Sequence, residues 1–569
     1  MFTIIFNIIL TNIILLSYGI IFKVFLVKEK VLKKNLNELP LFGIILLSFI
    51  SLLLNFIFPI NKILGTIIFI TGLLFFFNEI KKNNLIGFKI IKLILISSII
   101  TFILIAFSNI YRPDAGLYHL PFLSIINENK ILIGSANIHF RFATTSILQY
   151  LSAIQNNFIY DLKSVSIPSA SIFSFFIIYL FREIKINFIL DKKINSLIFF
   201  LIACYSLISF GRFSNYGNDA ISHIYFLFLL VFILKNYSNI KFSIKIFNKL
   251  SLISIFLFAT KAFMSLVLII PFIFLILHSK KKEFLKNTFF YLNVLFFAGW
   301  LIKSLLISGC LIYPIKQTCI ESMTIYDKEK TTIEARSGEA WSKDWVNQKN
   351  VKLNFEDYNK NFNWIKTWKE NHLKKIIEKI APYLFFLILF FMTIFFQKKR
   401  ALNKMVIKEK LPNKIHIIFF FTLMMVIIWF FKFPLYRYGA AFIAILITMC
   451  FIYLISFLKM IPRKDIMKKN MQIFLCICVL VIFTKNVLRI HKNIFINSNN
   501  IWPNIYPTEK GIITSSFEKI ENSQGNLLYF YSKGELCMYS EAPCSNFKIK
   551  NLEKKKLFIY DFYWIKKQI

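Results

Sequence analysis

The sequence has no P-loop, no paired glycine-rich phosphate cradle and no zinc-type cysteine cluster, which argues against an ATP-driven pump. No clear internal repeat is present, although repeats are common in secondary carriers. No basic leader precedes the first apolar run and no small-residue cleavage site follows it. The stretch from Met1 to Val27 therefore reads as a retained first helix.

What the chain does have is apolar sequence. It is 57% hydrophobic and 18% aromatic over 569 residues, with a mean hydropathy of +0.61. Continuous runs of about 20 apolar residues are the signature of bilayer spans. Lipid offers no partner to a bare backbone, and runs without strict alternation choose helices over a barrel. The expected fold class is an all-α polytopic membrane protein of about 13–14 transmembrane helices. They centre near Leu15, Leu47, Phe69, Ile99, Phe173, Cys204, Phe228, Phe256, Ile270, Phe297, Phe386, Met425, Ile447 and Val479. The Phe256/Ile270 pair is short and reads either as two spans or as one broken, re-entrant helix.

A net charge of +40 would ordinarily suggest nucleic acid or anionic membrane. The placement of the charge points elsewhere and argues against a nucleic-acid partner. Lysine and arginine concentrate in every second loop: Lys28 to Lys34, Lys81 to Lys92, Arg182 to Lys193, Lys235 to Lys249, Lys280 to Lys286, Lys398 to Lys414, and Lys459 to Lys469. By the positive-inside rule these seven loops are cytoplasmic. The segments between them then face outward, and they hold nearly all the Trp, His and acidic residues not used as loop punctuation. Membrane helices over 1–108, 165–308 and 376–490 thus alternate with outer segments over 109–164, 309–375 and 491–569.

Four cysteines fall in these outer segments as close pairs, Cys310 with Cys319 and Cys537 with Cys544. Disulfides belong to oxidising compartments such as a periplasm, so two local bridges are expected, with free thiols as the alternative. Cys204, Cys450, Cys476 and Cys478 fall inside apolar runs and read as small hydrophobes.

The first outer segment carries Asp114 just after Pro113, with Ala115-Gly116 allowing a tight turn. Pro121 suits the first turn of a helix, and Leu120, Leu123 and Ile126 form one apolar stripe for the membrane interface. A carboxylate at the bilayer surface beside His119 and Arg141 suits a general base, and equally a helix cap. In a second outer turn, Asp219 and His223 are four apart and share one helix face. Two such ligands without a third are a weak metal signal, so no metal site is assigned. Arg212, Lys261 and Arg437 are cations at the same surface, suited to the phosphate of a lipid-linked donor or to snorkelling at headgroups. Trp341, Trp345, Trp364 and Trp368 read as a sugar-stacking wall or as an interfacial belt. The tail beyond Ile501, with apolar runs at Asn526-Leu-Leu-Tyr-Phe-Tyr and Lys556-Leu-Phe-Ile-Tyr, reads as a small strand-containing cap or as a tether.

A multi-pass chain with an acidic residue in an early outer loop followed by an interfacial helix resembles the GT-C class of membrane glycosyltransferases. The strings Asp114-Ala-Gly-Leu-Tyr-His-Leu-Pro, Asn137-Ile-His-Phe-Arg-Phe, Tyr216-Gly-Asn-Asp and Tyr436-Arg-Tyr-Gly are similar to those of a group of GT-C-like bacterial multi-pass proteins with no defined reaction. The resemblance implies a bacterial cytoplasmic membrane, a periplasmic active face and a polyprenyl-phosphate-linked sugar donor. It also implies that Asp114 is the base that activates the acceptor. Two departures stand out: three spans precede the one that delivers Asp114, and that loop lacks an Asp-x-Asp or Glu-x-Asp pair, which leaves metal dependence open. The function expected is therefore sugar transfer on the outer face. A lipid-linked oligosaccharide transporter or other secondary carrier, and an oligosaccharide polymerase or ligase, are the alternatives.

Overall fold

The computed structural model describes the chain apart from residues 1, 32, 83, 109–112, 161, 212, 214–216, 218, 280, 349–351, 401–410, 461–463, 497–500, 504, 506–516, 523 and 567–569. The chain opens with α1 (Phe2–Ile21), α2 (Leu39–Asn55), α3 (Lys62–Lys82) and α4 (Asn84–Ile105). Two short helices of the first outer segment follow, α5 (Leu120–Glu128) and α6 (Ile147–Ala153). Next come α7 (Ile167–Ile189), α8 (Lys193–Ser209), α9 (Asp219–Ile240), α10 (Ile244–Thr260), α11 (Ile269–Leu277) and α12 (Thr288–Ser308). The second outer segment contains α13 (Lys328–Ser342), α14 (Phe355–Asn359) and α15 (Ile365–Trp368). The helices end with α16 (Lys374–Arg400), α17 (Asn413–Lys432), α18 (Tyr436–Phe457) and α19 (Lys464–Ile496).

Among the described residues, 11 helices are long and apolar enough to cross a membrane. The chain is a multi-pass membrane protein. All fourteen expected spans correspond to helices; α8 and α10, at 17 residues each, are at the short end for a bilayer span, and α11 is a helix of 9 residues. The Phe256/Ile270 pair is the clearest case. It forms α10 and then α11, the latter preceded by a 3-10 turn over Ala262–Leu268, with Lys261 at the joint.

The middle of the bundle is α9, whose side chains are buried from Ile221 through Leu234. By contrast, α19 exposes Ile473, Ile477, Leu480, Phe483 and Leu488, as a lipid-facing helix does. Helices α1 and α2 meet at glycines. A Cβ on Gly43 would stand 2.0 Å from the Leu15 carbonyl oxygen, and one on Gly19 2.0 Å from that of Leu39. Close backbone approach at small residues is the usual way membrane helices pack without a hydrophobic driving force.

Charge divides between the two ends. At one end Lys235 pairs with Glu183 at 2.8 Å and with Glu38 at 3.5 Å, Lys249 reaches Glu38 at 3.7 Å, and Lys23 pairs with Glu29. Lys464 and Asp191 pair at 3.7 Å. These contacts draw only on the lysine-rich loops and their neighbours. Residues 401–410 and 461–463, with Lys404, Lys408, Lys410 and Arg463, lie outside the described residues.

The C-terminal region is a small strand-containing unit docked on the first outer segment. Strands β1 (Glu518–Glu521) and β2 (Leu527–Tyr531) are antiparallel, β3 (Cys544–Ser545) joins β2 in parallel, and β4 (Leu552–Leu557) pairs with β5 (Tyr560–Ile565) as a hairpin. The run at Asn526 becomes β2. The run at Lys556 is not one strand but the tip of the hairpin. Disulfides join Cys537 to Cys544 and Cys310 to Cys319. Docking is by hydrogen bonds: Met538 N–H to the Gly116 carbonyl, Ala542 N–H to Glu128, and Ser124 Oγ to the Ser540 carbonyl. Leu120, Leu123 and Ile126 of α5 are buried, and the stripe expected to lie along the interface is enclosed by protein.

Candidate active site

The site begins where α4 stops. Arg489 of α19 donates to the carbonyls of Ile103, Leu104 and Ala106, and so satisfies the open C-terminal end of that helix. Asn493 adds a bond to the Phe107 carbonyl. Asp114 follows Pro113 and leads into one π-turn, Ala115–His119, which runs straight into α5 with Pro121 in its first turn. Single π-turns are rare and often mark functional sites. Asp114 precedes this turn, but its side chain makes no capping hydrogen bond to it. Instead Arg437 Nη1 lies 3.4 Å from Asp114 Oδ2.

Arg437 comes from the first turn of α18, more than three hundred residues away in sequence. Its Nη2 donates to the Tyr438 hydroxyl at 3.0 Å, and the Trp341 ring lies 5.3 Å from its guanidinium carbon. Its backbone carbonyl accepts from His223 Nε2 at 2.8 Å, which fixes that nitrogen as the protonated one. His223 stands one turn into α9, and Asp219 heads the same helix. Asp219 Oδ1 pairs with Lys261 Nζ at 2.8 Å. Burial alone would lower the Lys261 ammonium, but the Asp219 carboxylate beside it outweighs burial and holds the group above its ordinary range. Arg141 lies over Tyr118 at 5.8 Å and over Phe140 at 5.1 Å. Four separated segments thus contribute Asp114, Asp219, Lys261, Arg437 and Arg141 to one end of the bundle. Arg212 lies outside the described residues, as do Tyr216 and Asn218.

His119 occupies the inner wall. It is buried, packs at 4.3 Å on the Tyr118 ring, and lies 3.4 Å from Gln149 Nε2, which also donates to its carbonyl. Burial first, then the Lys261 charge, holds its imidazole down at about 3. His139, buried beside Arg141, is likewise held at about 3. Burial pushes the Tyr118 phenol up to about 12, so it stays protonated. The histidines set a pH dependence. An unfolded imidazole takes up its proton near pH 6.5, whereas these native ones stay neutral far below that. Their contribution to stability is therefore whole above pH 6.5 and is lost as pH falls from there toward 3. Thermal unfolding in detergent between pH 7 and 4 should show this decline. His119→Gln should flatten it by up to about 1.4 kcal/mol per pH unit; an unchanged slope would mean that His119 is not held neutral.

Sequence reasoning passed over Tyr118, Tyr438 and Arg489. Tyr438 sits next to Arg437, but only the folded contact gives it a role. Of the four tryptophans, Trp341 faces the site, while Trp364 and Trp368 pack on each other and on Phe430. Trp345 donates to the Leu353 carbonyl and packs edge-on against Phe355. No group of three or more His, Cys, Asp or Glu suited to a metal occurs among the described residues.

Chemically, three cations (Arg141, Lys261 and Arg437) face two carboxylates, so the cluster suits a guest that brings negative charge. Arg437 uses one N–H on Asp114 and one on Tyr438, out of the five a guanidinium carries. Asp114 is about half exposed, at 48%, and so open to a neutral hydroxyl. No curated protein and no solved structure matches the chain. Residues 1–444, a stretch that includes every one of these charged groups, match a domain of unknown function, DUF8201, and the chain belongs to that family.

Proposed function

We propose that this protein is a GT-C-type membrane glycosyltransferase that moves a sugar from a polyprenyl-phosphate donor to an acceptor hydroxyl. The observation that carries this reading is the exposed Asp114–Arg437 contact at the edge of the Lys261–Asp219 pair. It sets a carboxylate able to take a proton beside cations able to hold a phosphate. Asp114 accepts the proton of the acceptor hydroxyl as its oxygen attacks the anomeric carbon. The bond from that carbon to the phosphate oxygen breaks, and the electron pair leaves on the phosphate, which remains on the lipid. Arg437 and Lys261 stabilise the charge that develops there, Arg437 through its planar fork and Lys261 as a point charge. The proton on Asp114 then passes to solvent. His119, neutral and enclosed, positions the π-turn and takes no proton.

The active face is, in this reading, the periplasmic face of a bacterial cytoplasmic membrane. Support comes from the lysine-rich loops at the opposite end and from disulfides in two segments on the same side as the site. The test is release of polyprenyl phosphate by proteoliposomes given a panel of polyprenyl-phosphate pentoses and hexoses with membrane extract as the acceptor source. Release with at least one donor is expected. Passage of a labelled lipid-linked oligosaccharide across the bilayer without any such release would replace transfer with transport.

A further inference from the structure

The tip of the β4–β5 hairpin is built against the rules for a water-exposed turn. Two-residue hairpin turns favour Asn-Gly or similar pairs, because the backbone must enter the left-handed region. Here the turn is Phe558-Ile559, and Phe558 takes that conformation at φ 53°. Its side chain is 89% exposed, and Leu557 and Ile559 on either side are also exposed. An apolar turn in a strained conformation, bare of protein contacts, points to a partner outside the chain. Lys555 and Lys556 precede it and are exposed, Lys555 with its ammonium over the Phe562 and Trp564 rings at 5.3 and 5.4 Å. Lys554, one residue earlier, pairs instead with Asp561 at 3.0 Å.

The position of the tip indicates which partner. Tyr560, the residue after the turn, donates its hydroxyl to the Phe56 carbonyl at 2.7 Å. Phe56 is where α2 ends, and the turn from α2 to α3 that follows exposes Ile57 and Phe58, with Ile63 exposed on α3. Those residues border two membrane spans. The tip therefore continues an apolar surface that already belongs to the bilayer. The other edge of the hairpin is anchored, since Ile133 N–H donates to the Asp561 carbonyl and Tyr563 N–H to that of Ile133.

We propose that Leu557-Phe558-Ile559 inserts into the leaflet surrounding the α2–α3 turn, with Lys555 and Lys556 among its anionic headgroups. The cap is then held over the first outer segment from two sides, by protein contacts and by lipid. This inference stands independently of glycosyl transfer. The experiment places a photo-crosslinking p-benzoylphenylalanine at Phe558, with the protein in nanodiscs of phosphatidylethanolamine and phosphatidylglycerol. Phospholipid adducts identified by mass spectrometry are the expected result. Adducts with a second copy of the chain, or none, would overturn the proposal. A second variant guards against misfolding. Phe558→Asn should leave the unfolding temperature in detergent unchanged or higher, because asparagine tolerates positive φ. The same variant should lose part of the rise in unfolding temperature that the wild type gains on transfer to nanodiscs. An undiminished rise would contradict insertion.

Discussion

Asp114→Asn should abolish sugar transfer while leaving the protein folded. Removing a positioned general base costs about 10²–10⁴-fold in rate, and Asn keeps the shape of the side chain without its basicity. Stability should scarcely change. The Asp114–Arg437 contact is 3.4 Å long, and both side chains are close to half exposed, a class of ion pair worth about 1 kcal/mol or less. Asp114 also makes no capping bond whose loss would loosen the π-turn. The measurement is polyprenyl phosphate release by purified variant and wild type, beside their unfolding temperatures in the same detergent. Retained release would move the base elsewhere. A collapse of the unfolding temperature would make Asp114 a structural residue.

Arg437→Ala should be the second large effect, with a different signature. Removing one donor that stabilises developing charge costs about 10²–10³-fold. In the proposed reaction Arg437 also meets the phosphate before the bond breaks, so part of the loss should appear as a raised KM. Arg437→Lys restores the charge but not the planar fork, and should recover only part of the activity. Because Arg437 also touches Asp114, the double variant should lose less than the sum of the two single losses. Additive losses would mean that the two residues act on separate steps. Equal activity of Arg437→Ala and wild type would take the phosphate away from this cation altogether.

Much of the architecture could be read from the sequence because membranes impose simple constraints. Apolar length locates helices, and the alternation of Lys and Arg sorted the loops into the two sets that stand at opposite ends of the bundle. Charged groups singled out in separate outer segments (Asp114, Asp219, Lys261 and Arg437) stand in one cluster. What could not be read depends on contacts between distant residues. Arg489 looks like one more cation in an apolar helix, yet it caps α4 from nearly four hundred residues away. The stripe on α5 has the pattern of an interfacial helix, and nothing local announces that it is enclosed by protein. Hydropathy located α8, α10 and α11 as apolar helices but not where helical geometry gives way at Lys261, since it registers composition over a window. The run around Phe558 reads as strand because its residues favour sheets, and only the positive φ exposes it as a turn.

Lys261 stands at the joint of α10 and α11, where Asp219 matches its charge and the Tyr438 ring lies beneath its ammonium. Ionisable groups in membrane bundles are commonly paired in this way.

The proposed function places sugar transfer at the end of the bundle that carries Asp114, opposite the lysine-rich loops. Proteoliposomes of uniform orientation, given a labelled polyprenyl-phosphate sugar confined to one leaflet, test this directly. Transfer from the leaflet on the Asp114 side, and none by Asp114→Asn, is the predicted result. Transfer from the leaflet on the lysine-rich side, or undiminished transfer by the variant, would contradict it.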